Sequence, residues 1–218
     1  MQTFNKSPVS VKGLPAFQMD SRQGWVLQAP WGSGNSGILT FAAELDTEMA
    51  ASWYEAHEPD FWKETAWAVG FTEHPIGADD VFMDVDTGPV LFEFGSVASG
   101  FGIGAANTVG RLDHVVPLTL EAVACAWPSP FGFLVPGIMG KVGADSWSLG
   151  EVALLFCMTR PNQTDTVISF SGDIPGIVWG LLAFYWGVGL LFIVLELRGI
   201  RRIIARHRAS KRNTVEPD

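Results

Sequence analysis

The sequence predicts an α+β protein: a small mixed domain followed by a C-terminal single transmembrane helix. Three observations point there. Of 218 residues, 48% are hydrophobic and only 17% charged, which excludes a disordered or collagen-like chain. The formal charge of −9 is a sum of opposites: residues 1–173 hold seven Lys or Arg against twenty Asp or Glu, a balance of −13, and residues 174–218 hold seven against three, a balance of +4. Between these parts, Ile174 to Leu195 run 22 residues without a charge. The expected organisation is an extended N-terminal arm (1–24), an acidic α+β domain with apolar Gly/Pro-rich segments (25–173), a transmembrane helix (174–197) and a basic C-terminal tail (198–218).

Taken in chain order, residues 1–24 are polar with Pro8, Gly13 and Pro15, hence the arm. Trp25 to Gln28 reads as a short strand ending before Pro30. Trp31-Gly-Ser-Gly-Asn-Ser-Gly37 reads as a turn; it has the glycines of a phosphate loop but not its lysine. Asp46 or Thr47 caps a helix to about His57, with Met49, Trp53 and Ala56 at helical spacing. Pro59 then starts a second helix, carrying Phe61, Trp62, Ala66 and Val69 to Gly70. His57, Glu58, Asp60 and Glu64 invite a metal reading, but no ligand spacing supports it and a solvated face explains them.

Asp84, Asp86 and Gly88 resemble part of a calcium loop, although the bidentate position falls on Gly95, so a solvated turn is expected. Val81–Val85 and Pro89–Phe94 read as strands. Gly100, Gly102 and Ala105 match a dinucleotide fingerprint with Glu121 some way on, yet residues 95–99 separate them from their strand. Small residues packed against a neighbour are the better reading of the same letters. Arg111, Asp113 and His114 form a tight ionisable triad, expected as a salt-bridged corner, with an acid–base pair as the alternative. The stretch from Trp127 to Gly140 is a proline-punctuated apolar loop or broken helix that should be covered, placing Trp127, Phe131, Phe133, Leu134 and Ile138 at an interface. Trp147 to Met158 is a strand or helix, and Asn162-Gln-Thr164 is a glycosylation triplet without supporting context. Cys125 and Cys157 allow one disulfide. No catalytic residue, metal site or cofactor is expected.

At 1.5 Å per residue the uncharged run reaches about 33 Å, against a hydrocarbon core of roughly 30 Å. Asp173 and Pro175 suit its first turn. On it Gly176, Gly180, Ala183 and Gly187 share one face, a helix-packing seam for other transmembrane subunits. Trp179 suits an interfacial anchor, and Tyr185 and Trp186 fall at mid-span, where a phenol wants a partner. Arg198, Arg201, Arg202, Arg206, Arg208, Lys211 and Arg212 follow at once, so the tail is expected in the cytoplasm, touching membrane lipids and not nucleic acid. Met1 to Pro8 carries no secretory signal. The alternatives are a second span or re-entrant segment within 89–140, an N-out single span, or a tail anchor, with the non-cytoplasmic side favoured for the domain.

Two functions follow. One is a membrane-anchored accessory or structural subunit of a larger membrane-protein complex, packing through its transmembrane helix and apolar loops. The other is a membrane-tethered enzyme or binder of an apolar small molecule, with Gly100–Asn107, Asp113 and His114 as its site.

Overall fold

A computed structural model of the chain describes residues 10–78, 90–91, 93–129, 132–134 and 147–213. The expected turn at Asp84 to Gly88 and strand at Val81–Val85 lie outside these residues, as do Phe131 and Ile138. Contacts divide the chain into Met1–Val178 and Trp179–Asp218.

Two hairpins begin the first unit. Lys12 (φ 53°) and Gly13 (φ 85°) both take the left-handed conformation, and such a pair closes a two-residue loop whose twist matches its strands. This joins β1 (Ser10–Val11) to β2 (Leu14–Pro15). β3 (Gln18–Asp20) pairs with β4 (Trp25–Gln28), and Asp20 Oδ1 accepts the amides of Arg22 (2.7 Å) and Gln23 (3.2 Å) in the turn. The expected extended arm is therefore corrected over residues 10–24. The second hairpin crosses the expected boundary, and Leu14, only 1% exposed, joins the core. Turn-forming residues marked the bends but not which strands they connect.

The stretch expected as a turn at Trp31–Gly37 opens a helix, α1 (Gly32–Ala42). Glycine costs a helix about 1 kcal/mol per residue relative to alanine, and two tertiary effects offset it. The N-terminus is capped from Glu73, whose carbonyl accepts Gly32 N (2.8 Å) while its carboxylate accepts the Ser33 amide (3.2 Å) and hydroxyl. A carboxylate there also suits the helix dipole. Close approach is the second effect, because a Cβ on Gly32 would overlap the Thr72 carbonyl oxygen.

Against α1 lies α3 (Ser96–Thr108), which also packs on α4 (Leu112–Cys125) and α5 (Trp147–Met158). Its Ala98, Ile103, Ala105 and Ala106 are buried, and the main cluster adds Leu39, Tyr54, Phe61, Phe71, Leu118 and Cys157. Gly100, Gly102 and Ala105 sit inside α3 rather than at its start, so their amides face intrahelical carbonyls and cannot cradle a phosphate. Gly102 leaves room for the Phe71 ring, which a Cβ would penetrate, whereas nothing lies within 4 Å of a Cβ on Gly100. Gly102→Ala should therefore lose about 1–3 kcal/mol by overpacking, and Gly100→Ala should gain about 0.5–1 kcal/mol from helix propensity. Urea midpoints at unchanged slope would measure both; equal shifts would contradict close packing at Gly102.

α2 (Thr47–Phe61) is capped as expected, with Asp46 Oδ1 accepting Met49 N at 3.0 Å. It differs in running through Pro59, and the expected second helix is instead a hairpin of β5 (Trp62–Glu64) and β6 (Val69–Phe71). Pro59 falls in the last turn, where only the Glu55 carbonyl loses its donor, and buried His57 and Phe61 hold that turn in the core. The expected strand Pro89–Phe94 is two short strands, β7 (Val90–Leu91) and β8 (Phe94–Gly95), with Glu93 at φ 76° between them. Trp127–Ser129 (β9) and Gly132–Leu134 (β10) pair antiparallel. Among the described residues every sheet has two strands. Helices supply most of the core, and the hairpins add Leu14, Val69 and Phe71 to it.

The last helix, α6 (Gly176–Asn213), has 38 residues and a length of about 57 Å. It continues unbroken through the basic residues expected as a separate tail. Among the described residues it is the one helix long and apolar enough to cross a membrane, with mean hydropathy 2.2 over its most apolar window. Its first turn belongs to the first unit: Gly176 N donates to Ala66 O (3.1 Å) and Ile177 N to Trp67 O (2.8 Å), which satisfies two amides that a helix start leaves open.

Candidate functional site

Gly110 takes φ 76°, and a side chain there would collide with the Thr166 carbonyl. This turn ends α3 and delivers Arg111 to the start of α4. Arg111 then bridges two helices. Its Nη1 and Nη2 donate to the Glu58 carboxylate on α2 (Nη2–Oε1 2.7 Å), and Nε and Nη2 donate to Asp113 (2.9 and 2.8 Å). Nη2 also lies 2.8 Å from His114 Nε2, and the Tyr54 hydroxyl lies 2.7 Å from His114 Nδ1. A neutral imidazole with its proton on Nδ1 satisfies both contacts: Nε2 accepts from Arg111, and Nδ1 donates to Tyr54. Trp62 stacks on His114 with ring centroids 3.9 Å apart, and the guanidinium sits over the Tyr54 ring.

Electrostatics follow from these contacts. Hydrogen bonds from Arg111 hold Glu58 down at about 2. The Glu58 bonds likewise raise Arg111, and burial pushes Tyr54 well above the ordinary phenol range. With both His114 nitrogens engaged and its ring 4% exposed, no free lone pair is left for proton transfer. The expected salt-bridged corner is what forms, and the acid–base alternative lacks an open base.

Beside the corner opens a cleft of about 160 Å³. Trp62, Phe170, His114, Asp113, Glu64 and Asp173 are among the residues that line it. No Lys or Arg does, and neither Glu64 nor Asp173 has a cationic partner among the described residues.

The other sequence candidates disperse. His57 is fully buried between the Phe61 and Phe71 rings, its Nε2 3.1 Å from Ser36 Oγ, and burial lowers it to about 3. Asp60 pairs with Lys12 at 2.9 Å. The four-residue metal reading thus separates into a core histidine, an Arg111 ligand, a surface pair and a cleft carboxylate. Glu121 serves no ribose: its Oε1 accepts Val69 N at 2.9 Å, and burial raises it to about 7. Its proton is therefore held in the fold up to that value but lost near 4.5 in the unfolded chain, so its contribution to stability falls as pH rises from 4.5 through 7. Glu121→Gln should remove that fall; an unchanged pH profile on denaturation would refute it.

Cys125 is exposed and Cys157 buried, both as free thiols. Gly100–Asn107 is packed helix rather than a substrate loop. On α6, Gly176 is already in contact, since a Cβ there would lie 2.9 Å from the Trp67 ring. Gly180, Ala183 and Gly187 are exposed, as are Tyr185 (37%) and Trp186 (72%). Arg198, Arg201, Arg202 and Arg206 are exposed, and the helix carries on past Arg208, Lys211 and Arg212. Sequence reading missed Tyr54 and Glu58 as partners of the triad. Their spacing of four on α2 was the available signal, placing both on one face.

Together these features describe a helical domain with hairpins, a locked ionic corner with an acidic aromatic cleft, and a long apolar helix. Comparison with known proteins finds no matching family model, no similar curated protein and no similar solved structure.

Proposed function

We infer that this protein is a membrane-anchored accessory or structural subunit of a larger membrane-protein complex, held in the bilayer by α6. The observation that carries this is the exposure of that helix: only 6% of its most apolar window is buried. In water, so much contiguous apolar surface is a liability far beyond the patches monomers ordinarily tolerate. A bilayer removes that cost, and the helix satisfies its own backbone groups there. The basic residues from Arg198 to Arg212 favour a cytoplasmic C-terminus, which puts the acidic domain on the other side.

Partner packing is the second half of this reading. Since Gly176 already meets Trp67, the seam available to a second transmembrane helix consists of Gly180, Ala183 and Gly187. Close backbone approach through such residues supplies dispersion contacts that lipid does not match.

The chain should stay with membranes after an alkaline carbonate wash and leave them only in detergent. Release by carbonate would end the anchor reading. Reporter fusions at Met1 and at the C-terminus should report opposite sides. Gly180→Leu with Gly187→Leu should lower recovery of co-purifying membrane subunits by about fivefold or more. Unchanged recovery with an intact domain would remove the packing claim.

A further inference from the structure

We propose that the cleft beside the Arg111 corner binds a small organic cation, an alkylammonium group. This goes beyond the membrane-anchor reading and does not rest on it. Three properties of the cleft converge. The first is charge. Glu64, Asp113 and Asp173 line it, and among the described residues no Lys or Arg does. Asp113 is already committed to Arg111, and Arg111 is itself shared with Glu58. Glu64 and Asp173, on a hairpin and on the segment leading to α6, carry charges that no described residue neutralises. An anion would meet repulsion from Glu64 and Asp173, and a neutral ligand would leave these two exposed carboxylates as they are.

The second property is the aromatic wall. Trp62 and Phe170 line the same cleft, and Trp62 is fixed by stacking on His114, which is in turn held by Tyr54 and Arg111. Tryptophan is the best ring for attracting a cation through its face, and alkylammonium groups are the ligands that combine positive charge with a methyl surface suited to such a ring. A metal ion fits less well, because it would need several converging oxygen ligands. Among the described residues no group of three His, Cys, Asp or Glu is arranged to hold one. The third property is size. At about 160 Å³ the cleft resembles a cavity that admits a benzene-sized molecule, so it takes a cationic head group and not an extended chain.

Choline is a suitable probe, with its uncharged isostere 3,3-dimethylbutan-1-ol as control, titrated into the full chain in maltoside detergent and read by calorimetry and tryptophan fluorescence. Choline should bind saturably at about 1 mM or tighter, at least about tenfold better than the alcohol. Glu64→Gln with Asp173→Asn should weaken choline by about tenfold and leave the alcohol unchanged. Glu48→Gln with Glu55→Gln, acids elsewhere on the surface, should change nothing. Equal binding of the alcohol, equal loss in the distant pair, or no saturation with choline would each overturn the proposal. A parallel titration with monomeric dihexanoyl-phosphatidylcholine separates the sources. Binding of choline alone identifies a free amine, and binding of both shows that a lipid head group is admitted. Binding of the lipid alone would mean that acyl chains are recognised, and would overturn the proposal.

Discussion

Replacing Arg111 by methionine should destabilise the domain by about 2–3 kcal/mol, between the cost of an exposed pair and that of a buried one, because Arg111 is 15% exposed and its partners Glu58 and Asp113 are 29% and 28% exposed. Methionine keeps much of the side-chain volume, so the loss is one of charge and hydrogen bonds. Glu58 and Asp113 would then face each other with no guanidinium between them, and His114 would lose the donor to its Nε2. The corner also joins α2 to α4, so its loss loosens a helix pair rather than a surface loop. The exposed pair Lys12–Asp60 provides the control: its lysine is 68% exposed, and Lys12→Met should cost less than about 1 kcal/mol. Adding Glu58→Gln and Asp113→Asn to Arg111→Met should recover part of the loss, because the uncompensated charges go with the substitutions. Chemical denaturation followed by tryptophan fluorescence measures all of these. A cost below about 1 kcal/mol for Arg111→Met would mean that the carboxylates rehydrate freely and the corner is an ordinary surface pair.

Acidification should give an almost flat stability profile from pH 6.5 to 4.5 and a steep loss below it. His57 sets the acid side. Burial keeps it neutral in the fold down to about 3, with Asp60 opposing weakly, whereas in the unfolded chain it protonates near 6.5. Its contribution is therefore lost as pH falls from 6.5 towards 3, at up to about 1.4 kcal/mol per pH unit and on the order of 5 kcal/mol in all. Glu121 works in the opposite sense. Raised to about 7, it holds a proton in the fold that the unfolded chain gives up above 4.5, so its contribution grows as pH falls from 7 to 4.5. Buried Glu73 is raised too and adds to that side. Below 4.5 both glutamates are protonated in either state and their compensation stops. Glu58, held near 2 by Arg111, then begins to lose its contribution alongside His57, over the window from 4.5 to 2.

Variants separate the parts. His57→Phe with Ser36→Ala removes the titrating ring without leaving the Ser36 hydroxyl unpaired, and its stability should rise on acidification from 6.5 to 4.5. Glu121→Gln should do the reverse and expose a downward slope in the same window. If the double variant keeps the flat profile of the parent, His57 is not the acid-sensitive group.

How much was legible depended on the range of the interaction. Asp46 needed only the amide of Met49, three residues on, so the start of α2 could be read directly. The Arg111-Asp113-His114 corner was visible because its members are neighbours. Tyr54 and Glu58 complete it from sixty and fifty-three residues away, and no local pattern ties them to it. The errors share a cause as well. Gly32 to Gly37 has turn composition, but the backbone of Thr72 and Glu73 makes a glycine helix the favourable choice there. Trp62 to Phe71 has helical spacing, but a strand pairing of Trp62 with Phe71 seats Phe71 in the core and Trp62 on His114.

By itself the sequence determined the division of charge, the long apolar helix with basic residues at its far end, and the mixed helix-and-strand character of the rest. These are properties of contiguous residues: a run of 22 uncharged positions is long and apolar whatever surrounds it. Only the tertiary structure decided that glycine-rich stretches would be core helices, that Gly176 would meet Trp67, and that Glu64, Trp62 and Asp173 would share one cleft. Each of these depends on atoms far apart in the chain, where the shape of one element sets the conformation another can adopt.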